Sequence, residues 1–145
     1  MNDAGTIDLI ADVAGYYSSA GAGLTSVSPA RAWDSRVGPG PMGRIGAGET
    51  REVTVTGVGG VPASGVTAVV LNVTAVAASA GTYATAWPTG EGRPNASNLN
   101  LPAGDTRPNL VIVKVGAGGK VSFYNDAGTI DLIADVAGWV GSPAP

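Results

Sequence analysis

Apolar and polar residues alternate over short stretches of this chain, and clusters of Gly, Pro and Asn separate those stretches. A period of two places successive side chains on opposite faces of an extended strand, and Gly, Pro and Asn favour the turns between strands. Within residues 51–56 the alternation puts Val53 and Val55 on the same face. The pattern predicts eight strands, at residues 31–36, 52–56, 67–76, 82–87, 98–101, 109–115, 120–124 and 130–136.

The third predicted strand begins with apolar residues on both of its faces. Val69, Leu71 and Val73 share one face, and the other face opens with Val70. A strand that is apolar on both faces is covered on both, so we expect this strand to lie in the centre of a sheet.

Two short links precede the last two predicted strands, at residues 116–119 and 125–128, and each ends in glycine. Such links commonly join antiparallel neighbours, so we expect the last three strands to form a meander. Eight strands without a helical stretch predict an all-β fold, an antiparallel two-sheet β-sandwich of jelly-roll or Ig-like type. A β-trefoil or small barrel is the alternative, disfavoured because no threefold internal period is found.

One segment of the chain occurs twice. Residues 2–15 read NDAGTIDLIADVAG, and residues 125–138 read the same fourteen letters at an offset of 123 positions. We call residues 2–15 the first copy and residues 125–138 the second copy. The repeat predicts a unit of about 123 residues that is used in tandem, in which the first copy is the last strand of a preceding unit or a strand exchanged between chains.

The repeat also predicts the organisation of the chain and its charge. We expect a duplicated strand at residues 1–17, a linker at 18–26, a β-sandwich module at 27–140 and a tail at 141–145. The net charge of −3 comes from the three Asp residues of the first copy, so that the rest of the chain is formally neutral.

Composition then removes several classes of function. The chain has no His and no Cys, which excludes imidazole acid–base chemistry, thiol nucleophiles and disulfides. Its eight Lys and Arg residues are too few and too scattered for nucleic-acid binding. No stretch approaches the ~18 apolar residues of a membrane span, and the N-terminus lacks signal-peptide features, so we expect any export signal to lie outside this chain.

Several segments taken together resemble a known family. They are residues 31–36 (RAWDSR), 60–63 (GVPA), 69–74 (VVLNVT), 93–100 (RPNASNLN), 109–113 (NLVIV) and 135–139 (DVAGW). The chain resembles an uncharacterised β module of about 120 residues that recurs, often in tandem, in secreted and cell-surface proteins of actinobacteria. The resemblance implies an extracellular or cell-surface location and a repeat-forming architecture, and it carries no catalytic residue. Trp33 departs from the family, which more often has an aliphatic residue there.

The densest cluster of charges is formed by Arg31, Asp34 and Arg36. These groups could orient a bound carboxylate or sugar, but we favour an ion pair that fixes the end of a strand, with Asp34 accepting backbone N–H groups. Asp131 and Asp135 share a face of the last predicted strand, about 13 Å apart at ~3.3 Å per residue. That separation is too large for a shared metal ion or for a glycosidase pair, so we expect no metal and no cofactor.

Aromatic rings and amides could form a carbohydrate site. Tyr83 and Trp87 would stack on sugar rings, while Asn95, Asn98 and Asn100 would bind hydroxyl groups. The alternative is that these rings fill volume in a core of small residues and that the Asn residues make turns. An enzyme is not expected: a hydrolase would have to rely on carboxylates alone.

The sequence thus predicts a non-enzymatic structural or adhesive repeat module that associates end to end, with a carbohydrate-binding module as the alternative. Self-association or contact with neighbouring repeat units is the expected partnership, with a cell-wall or surface glycan as the partner in the alternative. Association would use β-strand addition or exchange, since a strand with an unpaired apolar face pairs with another edge. The side chains expected to carry it are Ile7, Leu9, Ala11, Val13, Tyr16 and Tyr17.

Overall fold

The computed structural model describes residue 6 and residues 11–13, 15–16, 20–38 and 40–142. Within them the chain forms eight strands and one short 3₁₀ turn at Ala117–Gly119. The strands are β1 (Leu24–Asp34), β2 (Glu49–Thr54), β3 (Val66–Val76), β4 (Thr82–Pro88), β5 (Leu99–Leu101), β6 (Arg107–Lys114), β7 (Lys120–Asn125) and β8 (Asp131–Gly141). No helix among these residues has the length and apolar character needed to cross a membrane.

The eight strands form two antiparallel four-stranded sheets that pack face to face. The first sheet has the order β1-β8-β3-β6 and the second the order β2-β7-β4-β5. The first strand therefore pairs with the last, the second with the seventh, the third with the sixth and the fourth with the fifth. This is the strand order of a jelly roll, so the predicted β-sandwich is confirmed and the trefoil or barrel alternative is wrong.

The predicted meander of the last three strands is wrong. Strand β7 lies in the second sheet, whereas β6 and β8 lie in the first, so both glycine-containing links cross between the sheets. The first of the three glycines in the first link serves a close approach: a Cβ atom on Gly116 would lie 2.2 Å from both the backbone N and O of Thr89. In the second link, the buried Asn125 amide donates to the carbonyl of Ile45 at 3.1 Å and so holds the crossing in place.

Strands extend beyond the predicted bounds at both ends of the module. Strand β1 begins at Leu24, inside the predicted linker, and β8 continues to Gly141, the first residue of the predicted tail. Residues 24–29 carry little apolar alternation, because this part of β1 lies at the edge of the sheet and is largely exposed. Pairing with β8, which is distant in sequence, makes it a strand.

The core lies between the two sheets and consists mainly of Val, Leu, Ile and Ala side chains. The inward faces of β3 and β2 are those predicted: Val69, Leu71 and Val73 are buried, as are Val53 and Val55. Strand β3 is central in its sheet, between β8 and β6, as expected. Each large aliphatic side chain buried here stabilises the fold by about 1.5–3 kcal/mol.

Aromatic rings fill the larger gaps of this core. Trp33 stacks on Phe123 with ring centroids 5.7 Å apart, and its indole N–H donates to the carbonyl of Pro41 at 3.0 Å. Trp139 on β8 is also buried in the core. The position at which the chain departs from the resembling family therefore packs between the sheets.

Candidate functional site

The second copy supplies most of β8, and β8 occupies the place between β1 and β3, which we call the β8 position. Against β1, Val140 lies opposite Leu24 and Ile133 opposite Asp34. Against β3, Gly141 lies opposite Val66 at the far end of the strand. The strand is therefore hydrogen-bonded on both edges along its length.

The inward face of β8 contributes directly to the core. Leu132, Ala134 and Val136 alternate inward and are buried. A bulge between Val136 and Gly138 then shifts the alternation, so that Trp139 also lies on the inward face. The second copy is thus an internal strand that the sandwich needs.

The first copy has the same sequence in a different environment. Val13 is 93% exposed, whereas its equivalent in the second copy, Val136, is 0% exposed. Ala11 and Tyr16 are also exposed, and no described residue before Leu24 belongs to a strand. The remaining predicted assembly residues, Ile7, Leu9 and Tyr17, lie outside the described residues.

Polar contacts fix the start of β8. The buried Asp131 carboxylate accepts a hydrogen bond from the Ser35 hydroxyl at 2.9 Å and pairs with Arg44 at 2.9 Å. The Ser35 hydroxyl oxygen in turn accepts the backbone N–H of Leu132 at 3.1 Å.

Further along the strand, Asp135 pairs with Arg31. The two aspartates therefore have separate ion-pair partners, and no group of three potential metal ligands occurs in the described part of the chain.

The charge cluster at the end of β1 is the structural ion pair that the sequence favours. The buried Asp34 carboxylate accepts the backbone N–H of Arg36 at 3.0 Å and two side-chain hydrogen bonds from the same residue. Arg31 donates to it as well, at 2.8 Å. The hydrogen bonds from the Arg36 side chain are the main reason why the pKa of Asp34 falls to about 2, and the charge of Arg31 lowers it further.

The predicted carbohydrate site is only partly available at the surface. Trp87 is 7% exposed, and its indole N–H donates to the carbonyl of Glu91 at 3.0 Å. The ring is therefore buried and is not open to a sugar as a stacking platform. Asn98 accepts the backbone N–H of Ala86 at 2.7 Å and so holds the loop against β4.

A second aromatic group lies at the surface next to this loop. The rings of Tyr83 and Tyr124 are half-buried, with centroids 6.0 Å apart. The guanidinium of Arg93 lies 3.8 Å from the Tyr124 ring centroid and donates to the Tyr83 hydroxyl at 3.3 Å. Burial raises the pKa of Tyr124, and the hydrogen bond its hydroxyl donates to Asp126 raises it further. Sequence patterns do not reveal this cluster, because Tyr83 lies on β4, Tyr124 on β7 and Arg93 in the loop between β4 and β5.

A groove of about 330 Å³ lies beside this cluster. Among the residues that line it are Tyr83, Arg93, Asn95, Ser97 and Asn100, together with Asp12 of the first copy. The amide of Asn100 donates to the Ser97 hydroxyl at 3.0 Å, and both residues face the groove. Three of the five predicted ligand-binding residues are therefore brought together here.

Fold and site together define the class of the protein: a jelly-roll β-sandwich that carries a second copy of one of its own core strands, exposed where the structure describes it. Neither the family models nor the curated proteins with which the chain was compared include a match. The two copies and the surface groove are therefore the features of the molecule that bear on its function.

Proposed function

We propose that this chain is a non-enzymatic structural module of an extracellular or cell-surface repeat protein, and that the first copy joins it to a neighbouring chain or unit. The observation that carries the proposal is that two identical segments occur in one chain, one of them buried as β8 and the other exposed where the structure describes it. The extracellular location follows from the family resemblance alone.

Burial of apolar area favours association of the first copy. In the second copy Leu132, Val136 and their neighbours are removed from water by the sandwich. The same side chains in the first copy would gain about 1.5–3 kcal/mol for each large aliphatic residue on being covered. A strand of this composition pairs well with the free edge of a sheet, because main-chain hydrogen bonds and alternate side chains are satisfied together.

The sandwich offers such edges. In the first sheet the outermost strands are β1 and β6, and in the second they are β2 and β5. Strand β6 presents apolar side chains to solvent beside its free edge, with Leu110 60% exposed and Ile112 40% exposed. We propose β6 as the acceptor edge, since long apolar edges invite pairing with another chain.

The number of strands favours addition over exchange. Each chain contains one β8 position and two copies that match it. Exchange between chains fills every β8 position but leaves one copy per chain unpaired, as before. Addition to an edge pairs the remaining copy, and a head-to-tail contact of this kind builds open filaments unless the rotation closes.

Deletion of residues 1–16 tests the proposal. We expect the mass of the full chain, measured by light scattering after size separation, to rise with concentration, and that of the shortened chain to stay at one chain. Leu9→Asp with Val13→Asp in the full chain should behave like the deletion, because it removes the apolar face without changing the length. Asp12→Asn serves as the matched control and should associate like the parent. Equal masses for the full and shortened chains at every concentration would contradict the proposal.

The second candidate is a carbohydrate-binding module, and the cluster of Tyr83, Arg93 and Tyr124 beside the groove favours it. Half-buried rings with adjacent amides and a guanidinium are suited to stack on a sugar and to bind its hydroxyl groups. Binding to a glycan array that falls with Tyr83→Ala and with Asn100→Ala, but not with Glu52→Gln on β2, would support this candidate. Absence of binding of the parent chain to any glycan on the array would contradict the carbohydrate-binding candidate.

A further inference from the structure

The two copies are able to compete for the β8 position, because the chain connection permits either. In the pairing of β1 with β8, Leu24 lies opposite Val140, whose equivalent at the offset of 123 is Tyr17. Six residues, 18–23, separate Tyr17 from Leu24 along the chain. A loop of that length is sufficient for a strand to turn back onto its antiparallel neighbour. Some other feature must therefore decide which copy is used.

Over the length of β8, the two copies differ only in their last three residues. After fourteen identical residues, the second copy continues with Trp139, Val140 and Gly141, where the first continues with Tyr16, Tyr17 and Ser18. The structure shows what two of these three positions require.

Position 139 requires an indole ring, which is larger than that of tyrosine and carries no hydroxyl group. Trp139 is 5% exposed and belongs to the core between the sheets, opposite Thr25 on β1 and Val69 on β3. Tyr16 in its place would fill less of this volume and would bring a hydroxyl group into apolar surroundings. Both effects disfavour the first copy.

Position 141 requires glycine. Gly141 has φ +151°, and a Cβ atom there would lie 2.1 Å from the carbonyl oxygen of Gly65 and 3.0 Å from the Cα of Val66. The same residue closes the end of the sheet, since its N–H donates to the carbonyl of Gly23 at 3.2 Å. Ser18 in this place would collide with the backbone of the strand entry, so that the end of the strand would have to shift.

We infer that Trp139 and Gly141 reserve the β8 position for the second copy, so that the first copy remains available to the edge of a neighbouring chain. The last step rests on the proposed function; the preference for the second copy does not. The same two positions also disfavour exchange between chains, because the first copy of a neighbour would carry the same Tyr and Ser into the site. Association then proceeds by addition to an edge.

Limited proteolysis at a concentration where the chain is monomeric tests the inference, with cleavage sites read by mass spectrometry. The two copies offer the same leucine to a protease that cuts beside apolar residues, at Leu9 and at Leu132. We expect cleavage at Leu9 in the parent chain. In the exchanged variant, with Tyr16→Trp, Ser18→Gly, Trp139→Tyr and Gly141→Ser, we expect the ratio of Leu9 to Leu132 cleavage to fall by about tenfold or more.

The variant with only Tyr16→Trp and Ser18→Gly keeps β8 intact, so it tests the inference even if the exchanged variant fails to fold. We expect its Leu132 cleavage to rise above that of the parent as the copies become equivalent. An unchanged ratio in this variant would overturn the inference. Because the cleavage ratio is measured on monomeric chain, it does not depend on association. A failure of the chain to associate would therefore contradict the proposed function but not the preference for the second copy.

Discussion

Asp34 shows how one residue fixes the start of the module. Its carboxylate lies at the end of β1 and accepts hydrogen bonds from the side chain and backbone of Arg36 and from the side chain of Arg31. These bonds are strongest when the carboxylate is ionised, because hydrogen bonds to a charged group contribute more than neutral ones. The turn that follows β1 therefore depends on the protonation state of one buried side chain.

The variant Asp34→Asn should lower the free energy of unfolding by about 2 kcal/mol at neutral pH. The pKa of Asp34 is depressed to about 2 from 3.8, so its contribution is fully present above pH 3.8 and is lost as the pH falls through about 2. The difference between parent and variant, measured by denaturant titration, should therefore shrink below about pH 4. Asp105→Asn, which removes an exposed ion pair with Arg107, is the control and should cost less than 1 kcal/mol. A pH-independent difference would contradict this account.

Val13 and Val136 are equivalent residues of the two copies and form a matched pair. Val136→Ala removes buried methyl groups and should cost about 2 kcal/mol of stability. Val13→Ala changes an exposed side chain and should stay within about 0.5 kcal/mol for the monomer. Thermal unfolding of both variants at low concentration measures the difference. Equal losses would mean that both copies spend time in the β8 position.

At the scale of elements, the sequence predicts the inward face of a strand that carries apolar side chains, and it fails where the strand carries few of them. The inward residues of β3 follow from the sequence, as does its central place. The start of β1 does not, because residues 24–29 carry little apolar alternation and become a strand by pairing with β8. The links before β7 and β8 resemble hairpin turns, and nothing local shows that they cross between sheets.

The candidate site also has features that the sequence predicts and features that it does not. The duplicated strand can be recognised from the sequence alone, because the two copies are identical over fourteen residues. The burial of Trp87 and the meeting of Arg93 with Tyr124 depend on which strands become neighbours. Sequence patterns carry no such information, since these contacts join different elements.

The crossing between β6 and β7 places Gly116 directly against the backbone of Thr89. Gly116→Ala should destabilise the fold by about 3 kcal/mol, because its Cβ would collide with the backbone of Thr89, which has no freedom to move aside. Gly118→Ala, in the same link, is the control: its φ is +68° but its Cβ meets nothing closer than 3.9 Å, so about 1 kcal/mol is expected. Denaturant unfolding compares the two. A smaller effect at Gly116 than at Gly118 would show that the crossing tolerates a side chain.

At the scale of the whole molecule, the jelly-roll order brings the two ends of the module together. The first and last strands are paired, and the N–H of Gly141 donates to the carbonyl of Gly23. In a tandem chain with a period of 123 residues, the path into each unit and the path out of it lie side by side. Residues 18–23 span at most about 20 Å when extended, so successive units of such a chain would be joined at this one end.

The central claim is that the first copy is unpaired in the single chain and becomes paired when chains associate. Backbone amide hydrogen exchange of residues 6–16, compared at low and high protein concentration, tests it most directly. We predict rapid exchange at low concentration and protection that grows with concentration, while β8 stays protected throughout. Protection of the first copy that is the same at every concentration, or absent at every concentration, would contradict the account.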